Sequence, residues 1–474
     1  MNYNTIISLI GAVLRFLGMA MLVPLVVAFW YGENYNPFLI SAVITFVVGI
    51  VSGLKTHEID DLPIKESFAI VAIGWFSVAL FGSMPYILSG ISPLDALFES
   101  MSGFTTTGST ILPVIEDCSK SLLFWRSFTQ WLGGMGIIVL FLAILPKLAV
   151  AGRDLFRAEV PDPIGDKLSP RLSQTAKILW SVYVGFSAVE VFLLWLSGMT
   201  FYDALCTTFS TMSTGGFSPH SESIAFFHSS LIECIVIFFM FVAGANFALH
   251  YWMLRGGTDH LFRDSEFRLY VCIIFCATLL IALVLWGTYG SDSIRLGLFQ
   301  VIAINTGTGF TTTDFNAWPD AARMVLFLLM FIGGCAGSTT GGVKVVRLLL
   351  LIKYGYRELF RSLHPKAILP IRLGRQMVPR GVMEAILSFC IFYIFIFAVA
   401  SLIMSVLGMD LVSATSAAAT TLGNVGPGFN TVGPVAHFSG VHPIGKLVLI
   451  LCMWIGRLEI FTVIVLLIPD FWRK

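Results

Sequence analysis

The sequence predicts an all-α polytopic membrane protein with ten transmembrane helices, and three observations lead to this fold class. Hydrophobic residues make up 57% of the 474-residue chain and charged residues only 12%, about half the charged share of soluble domains. Ten apolar runs reach roughly the 20 residues that a membrane span needs. A short Gly/Thr segment recurs four times between such runs, which predicts four re-entrant segments in addition to the spans.

The four Gly/Thr segments align on one glycine each. Their cores read TTTGS, STGGF, TGTGF and GNVGP, with the aligned glycines at Gly108, Gly216, Gly309 and Gly426. Sixteen residues before each glycine stands a residue type that caps helix N-termini, namely Ser92, Thr200, Ser293 and Asp410. An Asp follows three residues after the first two caps, as in an acidic capping box. Each unit is therefore predicted to be a capped helix of about three turns leading into a Gly/Thr segment.

The apolar runs and the capped units alternate in a regular order. An N-terminal pair of spans at 6–30 and 37–54 contains no such unit, so we expect it to be an accessory. Four passes of span, unit and span follow, at 66–89, 92–110 and 122–148; 175–198, 200–218 and 227–254; 267–289, 293–313 and 321–351; 378–407, 410–430 and 441–468. The predicted organisation is a pair at 1–64 and repeats at 65–160, 161–258, 259–365 and 366–474.

Lysine and arginine orient the predicted spans. The loops 147–177, 255–268 and 344–380 contain six, three and nine Lys/Arg residues, and loops with such an excess stay on the cytoplasmic side. All four capped units then lie at the outer side, and both termini are cytoplasmic. The N-terminus shows no cleavable leader pattern, so we expect its first span to be retained. The loop 344–380 could also attract anionic lipid or an acidic protein surface, or it could serve only to fix the topology.

Several functional classes are disfavoured by the composition. The net charge of +1 gives no basic bias toward nucleic acid. The eight cysteines show no metal-ligand spacing and are expected to be small core residues or unpaired thiols. Neither HExxH nor GxSxG occurs, so an intramembrane enzyme is disfavoured. No GxGxxG or Walker motif occurs either, and nucleotide sensing would need a separate protein.

The Gly/Thr segments predict a pore. Non-helical backbone at membrane depth must be buried in protein or line water, because each unpaired polar group facing lipid costs several kcal/mol. One such segment is usually an ordinary loop, but four in register can share an axis and turn their carbonyl oxygens toward a dehydrated ion. The hydroxyls of Thr106, Thr107, Thr214 and Thr308 would add oxygen ligands. No ring of Asp or Glu occupies these positions, which favours monovalent cations.

A second constellation interrupts the span 321–351. Ten consecutive small residues have poor helix propensity there, and we expect a break in mid-membrane beside the water-filled cavity. The residues assigned to this candidate gate are Gly333, Gly334, Gly337, Ser338, Thr339, Thr340, Gly341 and Gly342. The alternative is close helix packing through small residues, which we expect for Gly133, Gly134 and Gly136.

Arg457 is an ionisable residue inside the last span, and such residues face the bundle interior and seek carbonyls or carboxylates. We expect it to bond the loop 333–342 and to hold that loop across the pore. The alternative is a structural ion pair with Glu459 or Glu190.

At these motifs the chain resembles the superfamily of K⁺ transporters, specifically the bacterial and archaeal TrkH/KtrB potassium-uptake subunits. The resemblance covers nearly the whole chain through DALFESMSGFTTTGST, STMSTGGFS, NTGTGFTTTDF, GGCAGSTTGGVKVVR and TLGNVGPGFN. The extra N-terminal pair favours the TrkH branch. The resemblance implies a pseudo-fourfold pore of four M1-P-M2 repeats with a gating loop at 333–342. It implies a K⁺-binding filter at Thr106, Thr107, Gly108, Thr214, Gly215, Gly216, Gly307, Thr308, Gly309, Asn424, Val425 and Gly426.

The same resemblance implies partners and location. We expect a homodimer in a bacterial or archaeal plasma membrane, and a cytosolic TrkA-like regulatory subunit through which ATP, ADP or NAD would act. Loops 147–177 and 344–380 are the expected docking surfaces. Sodium-favouring plant relatives carry serine where this chain has Gly108, which favours potassium. The segments differ from TVGYG and from one another, so some Na⁺ permeation is expected. The alternative to a channel is a proton- or sodium-coupled symporter.

Overall fold

Helices form nearly all of the regular structure, which confirms the all-α class. The computed structural model describes residues 2–53, 63–143, 172–256, 261, 263–374 and 376–473. Within these residues the only sheet is a small antiparallel hairpin of β1 (Arg372–Leu373) and β2 (Gln376–Met377). Short 3-10 turns lie at Ser223–Phe227, Phe315–Ala317, Asn430–Val432, Phe438–Gly440 and Val465–Leu467.

The chain begins with three helices that pack at glycines. They are α1 (Tyr3–Ala20), α2 (Leu22–Trp30) and α3 (Asn36–Gly53). A Cβ on Gly11 would lie 2.8 Å from the carbonyl oxygen of Gly49, so the backbones of α1 and α3 touch where both helices carry glycine. Such close approach is the packing mode that small residues allow between membrane helices.

The first repeat contains an unbroken inner helix. The repeat consists of α4 (Ile64–Gly82), α5 (Met84–Leu88), the pore helix α6 (Pro93–Phe104) and the inner helix α7 (Lys120–Ala143). The Glu33 carboxylate, from the turn after α2, accepts hydrogen bonds from the backbone N–H groups of Lys120 (2.7 Å) and Ser121 (2.9 Å). The turn after α2 therefore caps the N-terminus of α7. Most of the predicted cytoplasmic loop 147–177 lies outside the described residues.

The second repeat has a bent inner helix. Its helices are α8 (Leu172–Leu196), the pore helix α9 (Phe201–Met212), α10 (Ser230–Ala243) and α11 (Phe247–Gly256). The last two meet at an angle of 103°. The segment predicted as a span at 227–254 is therefore two helices joined by a bend, and its crossing of the membrane stays a prediction. The chain turns at Gly244, and the Asn246 side chain then accepts the Ala248 N–H at 2.8 Å, so it caps the start of α11.

The third repeat contains the predicted break. Its helices are α12 (Ser265–Tyr289), the pore helix α13 (Asp292–Asn305), α14 (Asp320–Leu329) and α15 (Val345–Leu363). Between α14 and α15 the chain leaves the helical conformation, and Ile332 forms an isolated parallel bridge with Val343. The two ends of the loop are thus joined by backbone pairing.

The fourth repeat also ends in a bent inner helix. Its helices are α16 (Arg380–Val406), the pore helix α17 (Leu411–Gly423), α18 (Pro443–Arg457), α19 (Ile460–Ile464) and the terminal α20 (Pro469–Trp472). The segments Pro443–Arg457 and Ile460–Leu467 meet at 118°. The segment predicted as a span at 441–468 is thus bent, and its crossing of the membrane stays a prediction. The bend lies at Glu459. This residue has a φ of 62°, in the left-handed region, although it is not a glycine.

Among the described residues six helices are long and apolar enough to cross a membrane, and the count is eight if each bent pair is one span. The difference from the ten predicted spans lies at α7 and at the pair α14 and α15. The figure of ten therefore stays a prediction.

Three of the four predicted helix caps are present. The side chains of Ser92, Thr200 and Asp410 accept the backbone N–H groups of Asp95, Asp203 and Ser413 at 3.3, 3.1 and 3.1 Å. The fourth prediction, Ser293, is wrong because α13 begins one residue earlier, directly after the turn at Gly290. The Ser293 hydroxyl instead donates to the carbonyl oxygen of Gly290 at 2.7 Å. The turn leaves no extended residue in which a cap could form.

We predict that Asp410→Ala destabilises the protein by about 1 kcal/mol at neutral pH, since the helix loses its cap. The Ser413 hydroxyl and the Asn430 amide bond the Asp410 carboxylate and hold its pKa below the ordinary value. The stabilisation is complete above the ordinary carboxyl pKa and is lost as the pH falls through the lowered one.

Unfolding by denaturing detergent would measure this loss at neutral pH and at acidic pH. Ser291→Ala is the matched control, because Ser291 precedes α13 without a side-chain capping bond. Equal stability of the Asp410→Ala and parent proteins at neutral pH would contradict the prediction.

Candidate ion-conduction site

The four Gly/Thr segments share one backbone conformation. In each segment the aligned glycine and the residue two positions before it have positive φ. The pairs are Thr106 (50°) and Gly108 (82°), Thr214 (55°) and Gly216 (76°), Gly307 (70°) and Gly309 (74°), Asn424 (53°) and Gly426 (111°). Three of these residues are not glycine, and left-handed backbone at such residues costs of order 1–3 kcal/mol each. The shared shape is therefore imposed by the surroundings and not by local sequence preference.

The aligned glycines close a ring. A Cβ on Gly108 would collide with the carbonyl oxygen of Gly215 in the next segment. A Cβ on Gly216 would likewise collide with the Thr308 oxygen, and one on Gly309 with the Val425 oxygen, while a Cβ on Gly426 would lie 3.1 Å from the Thr107 oxygen, a tight contact without collision. Each segment thus meets its successor, and the fourth meets the first. A side chain at Gly108, Gly216 or Gly309 would push a neighbouring carbonyl out of place.

One cavity lies above this ring. It has a volume of about 70 Å³, and its lining includes all four aligned glycines. The pore helices α6, α9, α13 and α17 end directly before the segments, so their partially negative C-terminal ends point toward the ring. A cation in the ring would meet backbone oxygens and helix dipoles of favourable sign.

The threonine hydroxyls are placed unequally. The Thr107 and Thr308 hydroxyls each pair with a threonine two residues earlier, at 2.8 Å. The Thr214 hydroxyl donates to the Ser213 carbonyl oxygen at 2.6 Å. The Thr106 hydroxyl is buried and has no hydrogen-bond partner among the described residues. Of the four predicted hydroxyl ligands, Thr106 is thus the one without a hydrogen-bond partner among the described residues.

Amide side chains support the segments from behind. Gln130 of α7 donates to the Gly215 carbonyl oxygen at 2.7 Å and accepts the Phe217 N–H at 3.0 Å. The Asn424 side chain donates to the Thr107 hydroxyl at 2.9 Å and to the Met453 carbonyl oxygen at 3.1 Å. Adjacent segments are thereby bonded to each other and to the inner helices.

The loop 333–342 lies directly beneath the ring. The Thr339 hydroxyl lies 3.1 Å from the carbonyl oxygen of Met212, the last residue of pore helix α9, and 3.3 Å from the Thr214 hydroxyl. A Cβ on Gly341 would lie 2.5 Å from the carbonyl oxygen of Gly423, the last residue of pore helix α17. The loop therefore reaches the inner ends of two pore helices on different sides of the ring.

Bonds within the loop fix its shape. The Gly333 N–H donates to the Val343 carbonyl oxygen at 2.9 Å. The Ser338 and Thr340 hydroxyls lie 2.8 Å apart, and the Gly334 N–H donates to the Thr340 hydroxyl at 3.0 Å. The loop is thus a folded unit with its own polar groups largely paired, as burial in a membrane protein demands.

The bend in the second repeat holds one side of this loop. The Cys335 N–H donates to the Gly244 carbonyl oxygen at 2.8 Å, and the Phe247 N–H donates to the Gly337 carbonyl oxygen at 3.2 Å. The polar groups freed where α10 ends therefore pair with those freed in the loop. Sequence reasoning missed this contact, although Asn246 after Gly244-Ala245 is a recognisable cap signal.

Arg457 bonds the loop from the opposite side. It is 3% exposed, and its guanidinium donates to the Thr339 carbonyl oxygen at 2.7 Å and to the Gly133 carbonyl oxygen of α7 at 3.5 Å. Glu459 was one alternative ion-pair partner for Arg457. Its two carboxylate oxygens instead accept hydrogen bonds from Arg347, each at 2.8 Å. Both carboxylate oxygens of Glu190 lack a hydrogen-bond partner in the part of the chain that the structure describes.

Glu266 was not singled out by sequence reasoning, yet it bonds both the loop and the first turn of α15. One of its carboxylate oxygens accepts the Ala336 N–H at 2.7 Å and the Val346 N–H at 3.0 Å. The residue lies at the start of α12, next to a charged stretch, so its position in the sequence suggests an ordinary loop residue. Only the tertiary fold brings it to the candidate gate.

Within the described residues, the six to eight apolar helices long enough to cross a membrane, together with four short helices that lead into adjoining Gly/Thr segments, are typical of a multi-pass membrane transport protein. The family model TrkH, described as a cation transport protein, matches residues 35–474. The chain belongs to this family. Its relatives are transport proteins, and it is not an enzyme.

Individual relatives match over the full length. The chain is 40% identical to "Trk system potassium uptake protein TrkH" of Vibrio parahaemolyticus and 39% identical to the protein of that name from Escherichia coli K12, each over 100% of both chains. The crystal structure of the potassium transporter TrkH from Vibrio parahaemolyticus superimposes with a TM-score of 0.92 at 39% identity, again over 100% of both chains.

We predict that Gly216→Ala reduces K⁺ flux at least tenfold, because the added methyl group would displace the Thr308 carbonyl oxygen and the φ of 76° is strained for alanine. Flux of ⁸⁶Rb⁺ into proteoliposomes, normalised to reconstituted protein, would measure it. Gly185→Ala is the control, since a Cβ there meets nothing within 4 Å. An unimpaired Gly216→Ala protein would contradict the role of the ring.

Proposed function

We propose that the protein conducts K⁺ into the cell down its electrochemical gradient, through the ring of four segments. The observation that carries this proposal is the closed cycle of glycine and carbonyl contacts that joins all four segments. Such a ring offers a dehydrated monovalent cation several carbonyl oxygens at once, in place of its water shell. The similar proteins of two bacteria are named for potassium uptake, which supports the same ion.

The proposed filter comprises the twelve residues assigned from the sequence, three in each segment. Its preference for K⁺ over Na⁺ is expected to be incomplete. The four segments carry different side chains behind a common backbone, and the hydrogen bonds that support them differ from one segment to the next. A filter with unequal supports is held less uniformly at the size that fits K⁺.

The loop 333–342 is the proposed gate, and Arg457 is proposed to hold it closed through the bond to the Thr339 carbonyl oxygen. The loop lies under the ring and is held from three sides: by Arg457, by the bend at Gly244 and by Glu266. The Arg457 charge also opposes the passage of cations while the loop is in place. Opening requires the loop to leave the path, which breaks these bonds.

Regulation is proposed to reach the gate from the cytosol. The relatives are named as parts of a Trk system, which fits a separate regulatory subunit that binds nucleotide. The candidate docking surface within the described residues is the segment formed by α15 and the hairpin β1–β2, where Lys353 donates to the Arg372 carbonyl oxygen at 2.7 Å. Because α15 continues from the gating loop, a force on α15 would act on the loop. A homodimer with cytoplasmic termini in the bacterial inner membrane completes the proposal.

A coupled symporter is the second candidate, and one observation favours it. Glu190 is fully buried, and it has no ion-pair partner within the described residues. A buried carboxyl without a paired cation is suited to carry a proton. Reversal potentials in planar bilayers separate the candidates, since a channel follows the K⁺ gradient at every pH. A symporter would shift its reversal potential with the proton or Na⁺ gradient, and Glu190→Gln would abolish a proton-dependent shift.

We predict that liposome flux of the parent protein is faster for K⁺ and Rb⁺ than for Na⁺ and Li⁺, and that Gly108→Ser raises the Na⁺ share severalfold. The serine side chain would displace the Gly215 carbonyl oxygen and change the size of the ring. Equal K⁺ and Na⁺ rates in the parent would remove the selectivity claim.

We predict that Arg457→Ala raises the open probability severalfold, because the loop loses its bond to the Thr339 carbonyl oxygen. Single-channel recording would measure the change. Arg457→Lys keeps the charge and one possible bond, so it should fall between the parent and the alanine variant. Unchanged gating in Arg457→Ala would exclude Arg457 from the gate.

A further inference from the structure

Arg126 is a buried arginine beside the outer end of the filter. It lies on α7 and is 1% exposed, yet it contributes to the lining of the cavity above the ring. Its guanidinium donates to the Glu99 carboxylate at 2.7 Å, to the Ser218 carbonyl oxygen at 3.2 Å and to the Thr110 hydroxyl at 3.1 Å. The planar group also lies 4.1 Å from the centre of the Phe217 ring. One side chain thus contacts the chain just beyond the first and second segments.

Glu99 completes the arrangement from the pore helix α6. Its carboxylate is fully buried and accepts the Ile111 N–H at 2.9 Å and the Thr110 hydroxyl at 3.0 Å. The backbone directly after Gly108 is therefore held by Glu99, and the backbone directly after Gly216 by Arg126. We refer to Glu99 and Arg126 together as the charged brace.

The charged brace is present in one repeat of the four. The positions equivalent to Glu99, nine residues before the aligned glycine, are Thr207, Gln300 and Ala417. The positions equivalent to Arg126, eighteen residues after that glycine, are Cys234, Phe327 and Ile444. The repeat fold therefore forms without the brace in three cases, and Gln300 has no hydrogen bond on either amide atom within the described residues. Formation of the repeat does not explain why the first repeat carries an ion pair.

A gain in stability does not explain the ion pair of the first repeat either. Removing two charges from water costs about as much as their attraction returns, so a buried ion pair adds little net stability compared with apolar side chains of similar volume. A fully bonded pair in a medium of low dielectric constant does, however, resist displacement of its partners. The expected benefit is a fixed geometry at the outer end of the first two segments.

We propose that Arg126 and Glu99 are positioning residues that set the ion preference of the filter. This inference rests on the proposed conduction of K⁺ through the ring. The brace keeps the outer ends of the first and second segments apart, so that their carbonyl oxygens do not close around the smaller Na⁺. Glu99 has a second role, since it neutralises a guanidinium that would otherwise face cations as they enter.

The two roles predict two different phenotypes. Arg126→Lys keeps the ion pair and the charge, but a single ammonium group does not reproduce the planar fork that bonds Glu99, Ser218 and Thr110 together. We expect the Na⁺-to-K⁺ permeability ratio to rise severalfold, with K⁺ conductance within about twofold of the parent. Glu99→Gln leaves an uncompensated positive charge at the entrance. We expect K⁺ conductance to fall severalfold at low salt and to recover at high salt, where charge is screened.

Planar-bilayer recording of the purified full chain under K⁺/Na⁺ bi-ionic conditions tests both roles. Arg295→Lys is the matched control, because Arg295 also forms an ion pair at the outer side, with Glu233, and within the described residues it has no hydrogen bond to a filter segment. Glu99→Leu combined with Arg126→Met removes both charges while it keeps the volume. It should fold, and it should be as unselective as Arg126→Lys, so a folding defect in a single variant does not prevent the test.

The outcomes separate this inference from the proposed function. A parent protein that does not distinguish K⁺ from Na⁺ would overturn both. A selective parent whose permeability ratio is unchanged in Arg126→Lys and in the double variant would overturn the brace alone. A ratio that rises equally in Arg295→Lys would also overturn it, because the effect would then follow from any outer ion pair.

Discussion

The proposed filter imposes one constraint on the rest of the structure: carbonyl oxygens that are to face an ion must remain unbonded by other backbone while they are buried in a membrane. Backbone in this state gains nothing from helix or sheet and is held only by its surroundings. Gln130 and Asn424 bond the segments from behind, and each aligned glycine leaves room for the next carbonyl. The pore helices and inner helices are the scaffold that keeps this irregular backbone in place.

Much of this scaffold is predictable because its signals are local. Caps at Ser92, Thr200 and Asp410 fix where three pore helices begin, and the shared glycine spacing fixes where the segments follow. The prediction failed at Ser293, where the turn after α12 leaves no room for a cap. The bends of the second and fourth inner helices were not predicted at all. The bend at Glu459 has a left-handed residue that is not glycine, and tertiary contacts impose that conformation in the absence of a local signal.

The candidate site also has a part that is predictable from local sequence and a part that depends on tertiary contacts. Glycine and threonine positions follow from spacing, but the partners of charged side chains come from distant parts of the chain. Glu266 lies 70 residues before Ala336, the loop residue that it bonds. Arg457 lies 118 residues after Thr339, the loop residue to which it donates. A single sequence gives no pairing information over such distances. Arg126 could have been suspected, because an arginine inside an apolar span is functional by default, but its four-way contact required coordinates.

The four segments of the ring belong to one chain and are not identical, and this has a consequence for evolution. In a channel of four identical subunits, a single mutation alters every quarter of the filter at once. Here a mutation alters one quarter and leaves three intact. Ion preference can therefore drift by small steps between related proteins, and individual repeats are free to specialise. The charged brace in the first repeat and the proposed gating loop in the third are what such independent change would produce.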